Sequence, residues 1–183
     1  MLGSVIPSSR FLIKGVLEPI DWERARVIVE YGPGVGTITR DILNRMRPDA
    51  KLVVIEMNDE FVRFLRETFH DERLIVEAGS AADVRAILKK HGFETVDYAI
   101  SGIPLSSVPP KMREHIVRET RESLAPGGAF IVYQFTSSVL PQLRRVFEDV
   151  KHNREWLNVL PAHLFFCTPA SSSAGNGNGA AHP

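Results

Sequence analysis

Apolar and polar positions along this chain fall into two alternating periods. Short continuous runs of β-branched and aromatic residues, RVIVEY (26–31), KLVVIE (51–56), RLIVEA (73–78), VDYAIS (96–101) and AFIVYQF (129–135), have the length of buried strands. Between them, apolar residues recur at helical spacing: Ile38, Ile42, Leu43 and Met46; Phe61, Val62, Leu65 and Phe69; Val84, Ile87 and Leu88; Met112, Ile116, Val117 and Leu124. Strands alternating with helices predict an α/β domain built on a doubly wound, mostly parallel sheet. PGG at 126–128 punctuates the chain before the fifth strand, and a further helix is expected over about 140–147. EWLNVLPAHLFFC (155–167) then reads as two short strands broken at Pro161, an antiparallel C-terminal finish to the sheet.

The two ends differ from this pattern. SSRFLIKGVLEPI (8–20) puts Leu12, Ile13, Val16, Leu17 and Ile20 on one helical stripe with Arg10 and Lys14 beside it. Such a helix can cover the sheet and its ligand site, or dip into an anionic lipid surface, where each nearby basic residue adds about 1 kcal/mol. From Pro169 the chain reads PASSSAGNGNGAAHP, too poor in apolar residues to repay its ordering entropy, so a disordered tail is expected. The expected division is an N-terminal amphipathic helix over 1–25, one catalytic domain over 26–168 and a tail over 169–183.

Composition narrows the partners. With 183 residues, 44% hydrophobic, the chain has enough apolar material for one α/β core. Its 22 Lys and Arg balance 22 Asp and Glu, so no overall basic field draws it to nucleic acid. The single cysteine, Cys167, forms no intramolecular disulfide and suits a reducing cytoplasm as a small core residue. No run approaches the ~18 apolar residues of a spanning helix, and no charged region followed by a long apolar run marks a signal peptide. A cytoplasmic protein is expected.

The candidate chemistry begins at EYGPGVGTIT (30–39), after the first strand. In doubly wound sheets ligands bind at the carboxyl ends of the strands. Gly32, Gly34 and Gly36 let the backbone turn sharply and approach a ligand closely, and the helix that follows offers N–H groups and a positive dipole end. A dinucleotide fingerprint starting at Gly32 needs glycine at 37, where Thr37 stands, and no G-K-[ST] follows; both facts argue against NAD and nucleoside triphosphates. Glu56, at the tip of the second strand and 20 residues beyond Gly36, is placed to accept both hydroxyls of a ribose.

EYGPGVGTIT followed by VVIEMN resembles the first two motifs of the class I S-adenosylmethionine-dependent methyltransferases, over residues 26 to 167. The resemblance implies their Rossmann-like fold and S-adenosylmethionine as cofactor. It implies that Gly32, Gly34 and Gly36 pack against the methionine moiety, that Glu30 helps hold its amino group, and that Glu56, with Met57 beside it, takes the ribose. EAGSAADV (77–84) puts Ser80 where the third motif usually has an acid near the adenine. Ser80 can accept from the adenine amino group and the Ala81 N–H can bond a ring nitrogen; alternatively Ser80 caps the following helix.

The fourth strand ends in SGIPLSSVPP (101–110). The ribosomal RNA adenine dimethylases have Asn-Leu-Pro-Tyr here, for holding and stacking on a flipped base. This chain offers Ser101 for the amide and Leu105 for the ring, which removes that chemistry. Together with PSSRFL, YQF and NVLPAHLFF, SGIPLSS instead resembles the bacterial phospholipid N-methyltransferases, which methylate phosphatidylethanolamine towards phosphatidylcholine. That implies a phospholipid substrate, a peripheral position on the inner face of the membrane, and Ser101 and Tyr133 as positioners of the amine, Ser101 also bordering the cofactor. For Tyr133 a half-buried sheet tyrosine is the simpler account. Of the histidines only His163 falls near the active edge of the sheet, and no pair has metal-ligand spacing on one helix. An RNA adenine methyltransferase, a small-molecule amine methyltransferase and a non-catalytic S-adenosylmethionine-binding protein stay open as alternatives.

Overall fold

The computed structural model describes residues 10–155 and 161–169. Seven strands, β1 (Val27–Tyr31), β2 (Lys51–Glu56), β3 (Leu74–Ala78), β4 (Val96–Ser101), β5 (Leu124–Gln134), β6 (Asp149–Glu155) and β7 (Ala162–Thr168), form one sheet in the order β3-β2-β1-β4-β5-β7-β6. The first five are parallel; β7 runs antiparallel to both β5 and β6. The strand order reverses between β1 and β4, which opens a crevice above the tips of those strands.

Both faces of the sheet are covered, which is why its central strands are apolar without alternation. On one face α1 (Arg10–Leu17) and α2 (Thr37–Arg45) bury Leu12, Val16, Leu17 and Ile42 against Ile28, Leu52, Ile100 and Ile131. On the other, α4 (Val84–Lys90), α5 (Pro110–Ser123) and α6 (Leu140–Val146) bury Val84, Leu88, Val117 and Leu143 against Val29, Val53, Ala99 and Phe130. Between α2 and α4, α3 (Asp59–Thr68) buries Val62 and Leu65 beside β2 and β3, its N-terminus capped by the Asn58 side chain accepting from the Glu60 N–H. The chain enters β1 at a fixed register because the Asp97 carboxylate accepts from the Arg26 and Val27 N–H groups at 2.7 and 2.9 Å.

Two expectations change, those for Leu124 and Met112, and two others fall outside the described residues. The first of the two late strands was placed at 155–160; residues 156–160 lie outside the described residues, and the strand observed is Asp149–Glu155. Its sequence, DVKHNRE, has one apolar residue because β6 is the sheet's last strand. Leu124 opens β5 rather than closing α5, with a shift in register between Val96 and Tyr98 of β4 that accommodates Pro126 to Gly128; Met112 stands exposed. Residues 170–183 of the tail expected over 169–183, and the first nine residues, lie outside the described residues.

The apolar stripe of α1 is spent on the sheet: Leu12, Ile13, Val16 and Leu17 are all buried. Leu17→Ala is therefore expected to cost about 2–5 kcal/mol in urea unfolding without lipid, as other deletions in a packed core do. An unchanged midpoint would mean that α1 is not part of the core.

Candidate functional site

Above β1 and β4 lies a cavity of about 520 Å³, walled by Glu30, Gly34, Glu56, Ala81, Gly102 and Tyr133 among others. Its floor is the loop joining β1 to α2. The Gly32 N–H donates to Ile55 O at 2.9 Å, and Gly32, Gly34 and Gly36 all have positive φ, 63°, 56° and 76°. At Gly36 the requirement is doubled, since a Cβ would lie 2.6 Å from the Phe69 ring as well as being strained.

Two carboxylates face this loop. Glu56 is held by backbone: its Oε2 accepts from the Gly34 N–H at 3.3 Å and its Oε1 from the Asn58 N–H at 2.9 Å. Glu30 is only 1% exposed, and its Oε2 accepts from Thr39 Oγ1 at 2.6 Å. Burial pushes its carboxyl up to about 7; the Thr39 hydrogen bond opposes the rise and the charge of Glu56 adds to it. A buried carboxyl beside a second one favours a cationic ligand, which relieves both. Thr39 escaped sequence reasoning, although its place in the first turn of α2, opposite the tip of β1, was a usable signal.

The remaining expected residues divide. Met57 and Ala81 line the cavity, Met57 being 75% exposed at its edge. Ser80 is not among the lining residues: its Oγ accepts from the Ala82 N–H at 3.1 Å and caps the turn Ala81–Asp83, so the capping account holds. Phe61 and Ile103 add apolar wall.

Ser101, expected at the site, does not line the cavity. Register pairs it with Tyr31 and Val132, whose side chains pack beneath α5, and its buried Oγ has no hydrogen-bond partner there. The residue that opens onto the cavity is Gly102. Counting back from Pro104 also puts Gly102, not Ser101, at the Asn of an Asn-Leu-Pro-Tyr pattern. Leu105 is buried in the core and presents no surface to stack on. Tyr133 does reach the cavity, and a Cβ on Gly102 would meet its hydroxyl at 2.3 Å, so the glycine makes room for the phenol. Burial, then the charge of Glu30, pushes the Tyr133 hydroxyl up, so it stays protonated. Gln134, missed in the sequence, pins the loop after β4: its Nε2 donates to Ile103 O at 2.6 Å.

His152, expected on a helix end or polar face, lies on β6, stacked on His163 of β7, while His91 closes α4. Among the described residues no group of His, Cys, Asp and Glu is arranged to hold a metal ion. Cys167 is buried, and burial, then Asp149, pushes its thiol up.

A family model of ribosomal RNA adenine dimethylases matches residues 2–81. The chain is 35% identical over 174 residues to the ornithine lipid N-methyltransferase of Singulisphaera acidiphila, covering 94% of this chain and 91% of that protein. It is 30% identical over 95 residues to ribosomal RNA small subunit methyltransferase A of Mycoplasma mycoides subsp. mycoides; these cover 51% of this chain and 34% of that protein. In fold it is similar to human methyltransferase-like protein 13 in complex with SAH (TM-score 0.68, 17% identity, 89% of this chain and 82% of that one). Precorrin-6y C5,15-methyltransferase from Geobacter metallireducens is similar too (TM-score 0.66, 14% identity, 87% and 88%).

The buried Glu30 carboxyl makes stability depend on pH. Because the folded chain holds that proton more tightly than the unfolded one, the contribution is fully present below about 4.5 and is lost as pH rises through about 7. Glu30→Gln, neutral at every pH, is expected to match the ligand-free wild type near pH 4.5 and to exceed it by about 2–3 kcal/mol at pH 8 in urea unfolding. A difference independent of pH would show that Glu30 titrates normally.

Proposed function

Since the chain belongs to the class I S-adenosylmethionine-dependent methyltransferases, we propose that it methylates the primary amine of a membrane-lipid headgroup. The observation that carries this reading is which half of the chain each relative covers. The family model of RNA dimethylases stops at residue 81, before β4 and the acceptor loop, whereas the lipid N-methyltransferase matches nearly the whole chain. The acceptor loop agrees, since Gly102, Ile103, Pro104 and Leu105 supply neither the amide nor the ring that a flipped base needs. Ornithine lipid and phosphatidylethanolamine both present a primary amine and both fit the reading.

S-adenosylmethionine is the cofactor, and the residues around the cavity fit it. Glu56, at the tip of β2, is the acceptor for the ribose hydroxyls. The glycine loop admits the methionine moiety at close range, with Glu30 as counter-charge to its ammonium. Ala81, Phe61 and Met57 wall the end suited to adenine. Once bound, the cofactor supplies an electrophilic methyl group on a sulfonium.

The acceptor arrives as an ammonium whose ordinary pKa is ~10, so exposing its lone pair near neutral pH costs roughly 3–4 kcal/mol. Tyr133, kept as a phenol, can accept an N–H of the amine and hold the nitrogen over Gly102, and alignment of this kind supplies a large part of catalysis. The mouth of the site suits a lipid surface: Met57 and Phe135 line it and stand exposed, and exposed Phe11 lies next to Leu12, which also lines it. Arg10 and Lys14, exposed on α1, add basic charge to the helix that carries Leu12. No helix among the described residues is long and apolar enough to cross a membrane.

The test is transfer of labelled methyl from S-adenosylmethionine to liposomes containing ornithine lipid, phosphatidylethanolamine or neither, with ribosomal RNA and free ethanolamine as further acceptors. Label is expected in an amine-bearing lipid alone, and in none with Glu56→Ala, which should no longer bind the cofactor. Label in RNA or free ethanolamine would overturn the lipid reading, and cofactor binding without product anywhere would favour a non-catalytic protein.

A further inference from the structure

Past the ends of β5 and β7 lies a second depression, lined by Phe135, Thr136, Ser137, Arg154 and His163 among others. Phe135 also lines the cavity, so the two are contiguous at one wall. Sheet register explains the grouping. Gln134 of β5 pairs with His163 of β7, which pairs in turn with Arg154 of β6. Directly opposed residues of antiparallel strands share a face, so this row lies on the face opposite to Tyr133, which pairs with Leu164, and the two sites meet only at the strand tips, at Phe135.

The donors assembled here suit an anion. Arg154 brings a guanidinium, the side chain best matched to carboxylate and phosphate. Thr136 and Ser137 bring hydroxyls, that of Thr136 lying 2.9 Å from Ser138 Oγ. His152 Nε2 and His163 Nδ1 are 2.8 Å apart; with His152 as donor, His163 carries its proton on Nε2 and can give it to an anion. Burial, then the charge of Arg154, holds His163 below its ordinary range, so it meets a ligand as a neutral N–H donor.

On the acceptor reading above, we infer that this depression binds the anionic group of the acceptor, a phosphate or a carboxylate, while the amine of the same headgroup lies at Tyr133. Phosphatidylethanolamine and ornithine lipid each carry both charges within one headgroup. An amphiphilic amine without an anionic group offers nothing to this site, so Arg154 and His163 select for acceptors that carry an anion.

Two measurements test this. In the first, the imidazole nitrogen signals of His163 are followed by NMR during titration with glycerophosphoethanolamine, Nα-acetylornithine or inorganic phosphate. One of the two headgroup probes is expected to shift them saturably at lower concentration than phosphate, with binding at least tenfold weaker in Arg154→Gln. Phosphate binding as tightly as either headgroup, which would mark a free-anion site, would overturn the inference; so would no shift from either headgroup or no effect of the substitution. In the second, kcat/KM is compared for the lipid acceptor and a long-chain alkylamine. Arg154→Gln is expected to lower their ratio about tenfold through the KM of the lipid, and an unchanged ratio would contradict the inference. If the wild type methylates no amine lipid, the acceptor reading fails, while the imidazole titration still decides whether the anion site exists.

Discussion

A carboxyl buried at the tip of the central strand is the constraint around which the rest of this molecule is arranged. Glu30 sits on β1, between β2 and β4, and is shut from solvent by the sheet and the helices above it. Burying a carboxyl in such a place raises its pKa unless a positive group compensates. Thr39 supplies one hydrogen bond, and Glu56 across the glycine loop adds repulsion. The ligand-free fold therefore carries a local penalty at neutral pH that a cationic ligand removes, which is the behaviour expected of a site for a molecule bearing an ammonium and a sulfonium.

The walls of the site come from separate parts of the chain, and the fold brings them together for different reasons. The loop after β1 must bend through three left-handed glycines to leave the sheet. The loop after β4 is tied down by the Gln134 side chain donating to Ile103 O, which fixes Gly102 beneath the Tyr133 hydroxyl. Leu12 of α1 closes one side, so the N-terminal helix serves core and cavity at once. Insertion of β7 between β5 and β6 brings His163 and Arg154 to the strand tips beside Phe135, which also lines the cavity.

Much of this was legible in the sequence where burial on both faces forces a continuous apolar run, as in KLVVIE and VDYAIS, whose bounds coincide with β2 and β4. Residues at strand tips were harder, because one step along a strand reverses the face. Glu30 pairs with Ile100 and looks into the cavity layer; Tyr31 pairs with Ser101, and both look towards α5. Sequence spacing located the end of β4 but not that parity, so Ser101 was taken for the residue that opens on the site. Strand β6 was missed because the last strand of the sheet needs few apolar residues. Ser80 was ambiguous in kind: the same hydroxyl can cap a turn or meet a ligand, and the cap won.

The measurement that bears most directly on this account is the proton balance of cofactor binding, by calorimetric titration of S-adenosylmethionine at pH 7 in buffers of different ionisation enthalpy. Binding is expected to release a fraction of a proton from Glu30, and Glu30→Gln to bind without that release. Binding by the wild type with no proton released would contradict the claim that the buried Glu30 carboxyl is the counter-charge of the cofactor.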